Sequence, residues 1–276
     1  MRKLDLMLRD QALLGVALVS TLALIGASTW LVIDLLVTAW PRLGWHLLWQ
    51  APARAGRAGG LSSILVATGA IVAIGLLLAA PLGIAAAVAL SEARSRWADV
   101  VRTSLDLLAG APSIVLGLVG LLLFGDLLGL GYSLATGGLT LALMVLPLVI
   151  RFAEVGIRSA PAEQRAAAAA LALSRWTTLR RIVLPAALPS LAAAITLSIG
   201  RALAETAALV FTAGGSDRMP TSWADPGRTL AVHIYDVALN VAGGDASAAA
   251  AAVVLLAILL VVQVALIVCL RCGRSR

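Results

Sequence analysis

Long apolar runs separated by short polar stretches dominate the chain. Six runs reach the roughly 20 residues that a helix needs to cross a hydrocarbon core. They fall at about 12–37, 62–90, 104–125, 134–152, 190–212 and 246–270. Their Leu, Ala and Val residues do not alternate with polar ones, so they read as helices and not as strands of a membrane barrel. Pro81, Pro112 and Pro147 lie inside runs, where membrane helices tolerate them. The pattern predicts an all-α membrane protein with six transmembrane helices. The first run follows Arg2, Lys3 and Arg9 as a signal peptide would, but it continues to Val37 and is read as a span.

The distribution of basic residues orients these spans. The N-terminus, the second and fourth polar stretches and the tail carry 15 bases, and the first, third and fifth carry five: Arg42, Arg54, Arg57, Arg218 and Arg228. The positive-inside rule then puts both termini in the cytoplasm. Trp30, Trp40, Trp45 and Trp49 gather around the outer end of the first span as an interfacial belt.

The longest cytoplasmic stretch, about 153–189, is expected to hold structure. Pro161 precedes an alanine run, Ala166–Ala170, which favours a helix. A second short helix is expected after Leu173-Ser174, and Pro185 and Pro189 are expected to break the chain before the fifth span. The face with Arg175, Trp176, Arg180 and Arg181 suits a docked partner, lipid headgroups, or a plain tether between spans.

Arg201 is the one base inside a span. Counted from Ser190 it lies roughly 16 Å deep, where a charge costs several kcal/mol unless paired or hydrated. Glu205 follows at i+4 and can pair with it on one helix face, with Ser198 and Thr212 on the same side. The stripe is either a structural ion pair or a polar path whose guanidinium attracts an oxyanion. Asp34 and Asp106 sit near span ends, and Asp126, Asp225, Asp236 and Asp245 fall in loops.

Composition narrows the classes. Of 276 residues, 61% are hydrophobic and 13% charged, against nearer half and a quarter for a soluble domain. The net charge of +7 is dispersed among the spans, which argues against a nucleic-acid partner. Lys3 is the only lysine, so there is no phosphate-binding G-x-x-x-x-G-K loop, and any ATP-driven work needs another chain. Cys269 and Cys272 lack a second Cys/His pair, and His46 and His233 are expected in polar loops, so neither a metal site nor a catalytic residue is expected. An intramembrane protease would need a histidine inside a span. A secondary transporter would be expected to show internal repeats, and none is evident.

One family fits the loop and the fifth span. Ala166 to Trp176, followed by Arg181-Ile-Val-Leu-Pro-Ala-Ala-Leu-Pro189, resembles the cytoplasmic "EAA" loop of permease subunits of bacterial ABC importers. Gly200-Arg-Ala-Leu-Ala-Glu-Thr-Ala-Ala-Leu-Val-Phe-Thr-Ala213, with Leu108–Gly117 and Pro81–Ala87, resembles the A-type of the two paralogous phosphate permeases. The resemblance implies a permease at the bacterial inner membrane that pairs with a paralogous permease. It also implies two ATP-binding subunits that use the ATP, and an extracytoplasmic phosphate-binding protein. The chain itself would hold no cofactor. Residues 1–61 would be a stub, first helix and external loop, and 62–276 the five-helix permease core. The substrate path would comprise Arg201, Glu205, Ser198, Thr206 and Ser113. The ATPase-coupling loop would comprise Ala166, Ala167, Ala170, Ala172, Ser174, Arg175 and Trp176. The family has Glu at Ala166 and Gly at Ala172, so the turn should be straightened or strained here. Ala204 and Ala208 replace Gly and Pro and should stiffen the fifth span. The alternatives are another oxyanion (sulfate, molybdate, phosphonate), a secondary transporter, or a non-transporting scaffold.

Overall fold

The computed structural model describes the backbone at residues 2–93 and 95–274 and side chains at 13–93 and 95–268. Arg94, the side chains of Cys269 and Cys272, and those of the basic residues near both termini lie outside the described residues.

The chain opens with α1 (Arg2–Ala39), a 3-10 turn at Trp40–Arg42 and α2 (His46–Trp49). A small antiparallel hairpin follows, β1 (Pro52–Ala53) with β2 (Ala58–Gly59), Pro52 opposite Gly59. Then come α3 (Ser62–Glu92), α4 (Arg96–Gly110), α5 (Ser113–Gly120) and α6 (Leu134–Arg158). Next are α7 (Ala162–Ala170), α8 (Arg175–Thr178), α9 (Leu184–Ala204) and α10 (Ala207–Thr212). The chain finishes with α11 (Leu230–Asn240) and α12 (Asp245–Arg274).

Five stretches are each long and apolar enough to cross a membrane, and α4 with α5 makes a sixth if the pair counts as one span. The expected helix at 104–125 is therefore not straight. Its two halves meet at 103°. The bend lies at Ala111 and Pro112, which are extended, with ψ of 139° and 132°. Proline forces its predecessor out of the helical region, so Ala111 ends α4. The prolines expected to break the chain before the fifth span do not. Pro185 sits in the first turn of α9, where a missing N–H costs little, and Pro189 lies inside the helix. A wide π turn at Leu179–Val183 joins α8 to α9, so one helical stretch runs from Arg175 to Ala204.

The α3–α6 pair is the most extensive helix contact, and α9 lies against α6. Ile71, Leu141, Ala202, Leu209 and Ala213 meet at its centre. Towards α7 the core continues through Leu90, Ile150, Ile157 and Val183, and at the other end through Leu47, Ile64, Leu230 and Ala250. α1 packs against α12, and none of its apolar window is buried in the chain. Such exposure costs nothing in lipid, whose tails are as apolar as leucine.

The corner before α3 and the segment after α10 are more ordered than the sequence suggested. His46 opens α2, and His233 lies in α11, where it is 1% exposed, so neither histidine is in a polar loop.

Candidate functional site

α9 carries Arg201 into its last turn and stops at Ala204. Glu205 is extended (φ −72°, ψ 125°), and the helix resumes as α10 after Thr206. The expected unbroken helix over 190–212 is thus two pieces. Glu205 turns inward at the break, and its carboxylate Oε1 accepts the Ala208 N–H at 3.3 Å. That satisfies one of the first N–H groups of α10, which have no partner inside the helix. Irregular backbone at membrane depth is tolerated where protein covers it. Here Glu205 is 9% exposed and Ala208 and Leu209 are fully buried.

The break undoes the expected Arg201–Glu205 pair. The ion pairs among the described residues do not include it. Both residues nevertheless line one cleft of about 520 Å³ with Leu148, Phe152, Leu197 and Ala204. Arg201 is exposed to it, while Glu205 is committed to α10. The cleft is therefore apolar-walled with a guanidinium whose anion is not supplied by the described residues. Such a site can receive an oxyanion through the planar fork of donors.

The other predicted path residues stand apart. Ser198 is fully buried with no partner for its hydroxyl among the described residues, and it does not line the cleft. Thr206 donates weakly to the Ala204 carbonyl at 3.4 Å, and Thr212 donates to the Ala208 carbonyl at 2.9 Å. Ser113 begins α5, half-buried and away from the cleft lining. Ala204 and Ala208 do not stiffen an unbroken span, because the break falls between them. Ala208 instead receives α5: a Cβ on Gly117 would lie 2.6 Å from the Ala208 Cα.

At the opposite end of α9 the predicted loop forms two short helices, α7 and α8. Ala166, Ala167, Ala170, Ala172, Ser174, Arg175 and Trp176 are all exposed. Ala172 keeps the tight turn and takes the strain, at φ 52°. Leu173 N–H reaches the Ala168 carbonyl and Ala172 N–H the Ala169 carbonyl, both at 3.0 Å. These two bonds close α7 as a Schellman motif, whose left-handed position glycine usually fills. Ser174 caps α8 by accepting the Thr177 N–H at 3.1 Å. Arg165 ties the loop back to α6 through the Ile157 carbonyl.

Two charge clusters escaped the sequence reading. Glu154, 4% exposed in α6, accepts from Arg102 at 2.9 Å and pairs with Arg158 at 2.8 Å, with Arg151 at 3.8 Å. Arg151 also holds Asp106. The 151, 154 and 158 spacing was a legible signal, since residues three and four apart share a helix face. Arg102, from α4, carried no such signal. The second cluster lies after α10. Arg228 pairs with Asp217 at 2.9 Å and with Asp236 of α11 at 3.0 Å, and donates to the Gly215 carbonyl at 2.8 Å. His233 is buried beside it. Burial, and then the Arg228 charge, lower its pKa to about 4, against a partial pull upward from Asp217 and Asp236. Nearby, Asp225 accepts Thr221 and Ser222 N–H groups and the Thr221 hydroxyl, which lower its pKa.

Comparison with known proteins shows the family of the chain. Residues 79–268 match the family model of the binding-protein-dependent transport system inner membrane component. A probable ABC transporter permease protein, YqgI, of Bacillus subtilis is 36% identical over 69% of this chain and 70% of its own length. The phosphate transport system permease protein PstA of Haemophilus influenzae is 30% identical over 83% of this chain and 82% of its own. PstA 2 of Mycobacterium bovis is 35% identical over 76% and 70%. Among solved structures, an inward-facing MetNI methionine ABC transporter chain superposes with a TM-score of 0.60 at 18% identity, over 77% of this chain and 94% of its own.

Proposed function

We propose a cargo and a set of partners for this chain, which belongs to the family of binding-protein-dependent transport system inner membrane components and is a multi-pass permease subunit of an ABC importer. The cargo is inorganic phosphate. The observation that carries this reading is Arg201, a cation beside a helix break in an apolar-walled cleft. Phosphate carries the charge and planar oxygen pairs that a guanidinium recognises. Relatives described as phosphate permeases support the same cargo.

Half of the path would come from a paralogous permease. Both termini and the α7–α8 loop would face the cytoplasm, as the basic residues suggest. Two separate ATP-binding subunits would dock on the exposed face of Ala166, Ala167, Ala170 and Trp176. A phosphate-binding protein would deliver cargo at the α11 end. Glu205 would hold α10 in place and leave Arg201 free for the anion, so the affinity of the cleft depends on the break staying formed.

Uptake of labelled phosphate at low concentration tests this, in cells lacking the gene and complemented with wild type or Arg201→Ala. Membrane levels of both proteins are matched by blot. Uptake restored by wild type alone, and competed by arsenate but not sulfate, is the expected result. Normal uptake by Arg201→Ala at matched levels would overturn the role of Arg201. Competition by sulfate would move the cargo to another oxyanion.

A further inference from the structure

We infer that the corner between the first span and α3 is a binding site for the phosphate headgroup of an anionic phospholipid. Three arginines converge there. Arg42 ends the first span, and Arg54 and Arg57 flank the tip of the β1–β2 hairpin. With Ala55, Ala58, Asn240 at the end of α11 and Val241 and Ala242 just past it, they line a cleft of about 560 Å³.

The hairpin is held in a shape that presents these side chains. Arg54 and Ala55 are left-handed (φ 52° and 55°), and Gly56 continues the turn at 85°. Such backbone persists only where its surroundings impose it. Here the Arg57 carbonyl accepts from Arg42 at 2.5 Å and from the Ser247 hydroxyl of α12 at 2.9 Å. The guanidinium of Arg57 lies over Gly243, where an added Cβ would meet it at 3.3 Å. The cluster is thus braced from both sides of the fold.

No carboxylate among the described residues neutralises it. The ion pairs among the described residues use Arg102, Arg151, Arg158 and Arg228, and not these three. Asp236, on the same helix as the lining residue Asn240, is engaged by Arg228 and by the Asn240 amide. Three cations around one cleft repel one another unless an anion joins them.

Depth decides which anion. Trp40, Trp45 and Trp49 bracket Arg42 along the chain and are 78%, 78% and 73% exposed. Indole rings in that position settle at the level of lipid headgroups. The apolar window of α1 that leads to Arg42 is unburied in the chain. The arginines therefore stand within the headgroup layer, where the abundant phosphate is that of lipid. This cleft shares no lining residue with the Arg201 cleft.

The test uses the full chain in its assembled complex, held in nanodiscs of pure phosphatidylcholine or of phosphatidylcholine doped with phosphatidylglycerol. Phosphatidylglycerol retained after extraction is counted by native mass spectrometry. The variant Arg54→Gln/Arg57→Gln leaves the Arg42 bond to the hairpin backbone intact, and its thermal stability in pure phosphatidylcholine checks folding. Wild type should retain phosphatidylglycerol over phosphatidylcholine, the variant about tenfold less at unchanged stability, and excess inorganic phosphate should not displace the lipid. Equal retention by wild type and variant would overturn the site. Displacement by inorganic phosphate would overturn the lipid assignment and leave a free-anion site.

Discussion

Acidification should destabilise this protein through His233. The imidazole is 1% exposed, and a Cβ on Gly56 would lie 2.6 Å from its Cε1, so the hairpin backbone seals it. Its Nδ1 has no hydrogen-bond partner among the described residues. Burial and the Arg228 charge lower its pKa from 6.5 to about 4. The folded protein therefore stays neutral at His233 while the unfolded chain takes up a proton. Stability from this group is complete above the unfolded pKa and is lost as pH falls from 6.5 towards 4. At 1.36 kcal/mol per pKa unit the full loss is about 3 kcal/mol. The assay is thermal or denaturant unfolding of the detergent-solubilised chain across that range, beside His233→Gln, which keeps a polar side chain but does not titrate. The wild-type curve should fall with acid, and the variant should lack most of that slope while starting lower at neutral pH. Parallel curves for the two proteins would refute the reasoning.

Other sites make equally specific demands. Gly117→Ala would press a methyl into the Ala208 backbone and cost about 1–3 kcal/mol, read as a lower Tm and as weaker uptake because Glu205, which lines the cleft, is bonded to the Ala208 N–H. Glu154→Gln should cost about 2 kcal/mol, reduced from a fully buried case because Arg151 and Arg158 are partly or largely exposed, and unfolding in detergent would measure it. Ala172→Gly should stabilise the loop by about 0.5 kcal/mol, the relief of a left-handed alanine less the entropy glycine loses, seen as slower amide exchange at Leu173. Unchanged exchange would count against strain at that turn.

The spans were legible because a bilayer demands apolar length, and length is visible in a sequence. α3 and α6 begin at Ser62 and Leu134, where the apolar runs predicted them. Residue type alone misjudged the interruptions. Pro112 bends its span because Ala111 beside it is forced extended, while Pro185 and Pro189 ride in a helix whose π turn at Leu179–Val183 absorbs the change of register. The break at Glu205 involves neither glycine nor proline, and only the carboxylate's bond to Ala208 marks it. Arg201 could be read as a rare intramembrane cation, but its separation from Glu205 depends on backbone geometry that a four-residue spacing cannot carry. The Arg102–Glu154 contact joins elements far apart in the chain, and the Arg228 clamp closes across an irregular segment, so neither had a helix or strand spacing to mark it.

The strained turn at Ala172 also has a genetic side. Every alanine codon becomes a glycine codon by one base change, so relief of that turn is always within reach of a growing population. An allele that weakens the α7–α8 loop elsewhere, for instance by removing the Ser174 cap, should therefore be rescued early and repeatedly by Ala172→Gly in a suppressor selection. Loops of this kind are better sought in genomes by their turn than by one residue. A search that insists on glycine would pass over this chain, while one written for a residue that can close a Schellman turn would find it.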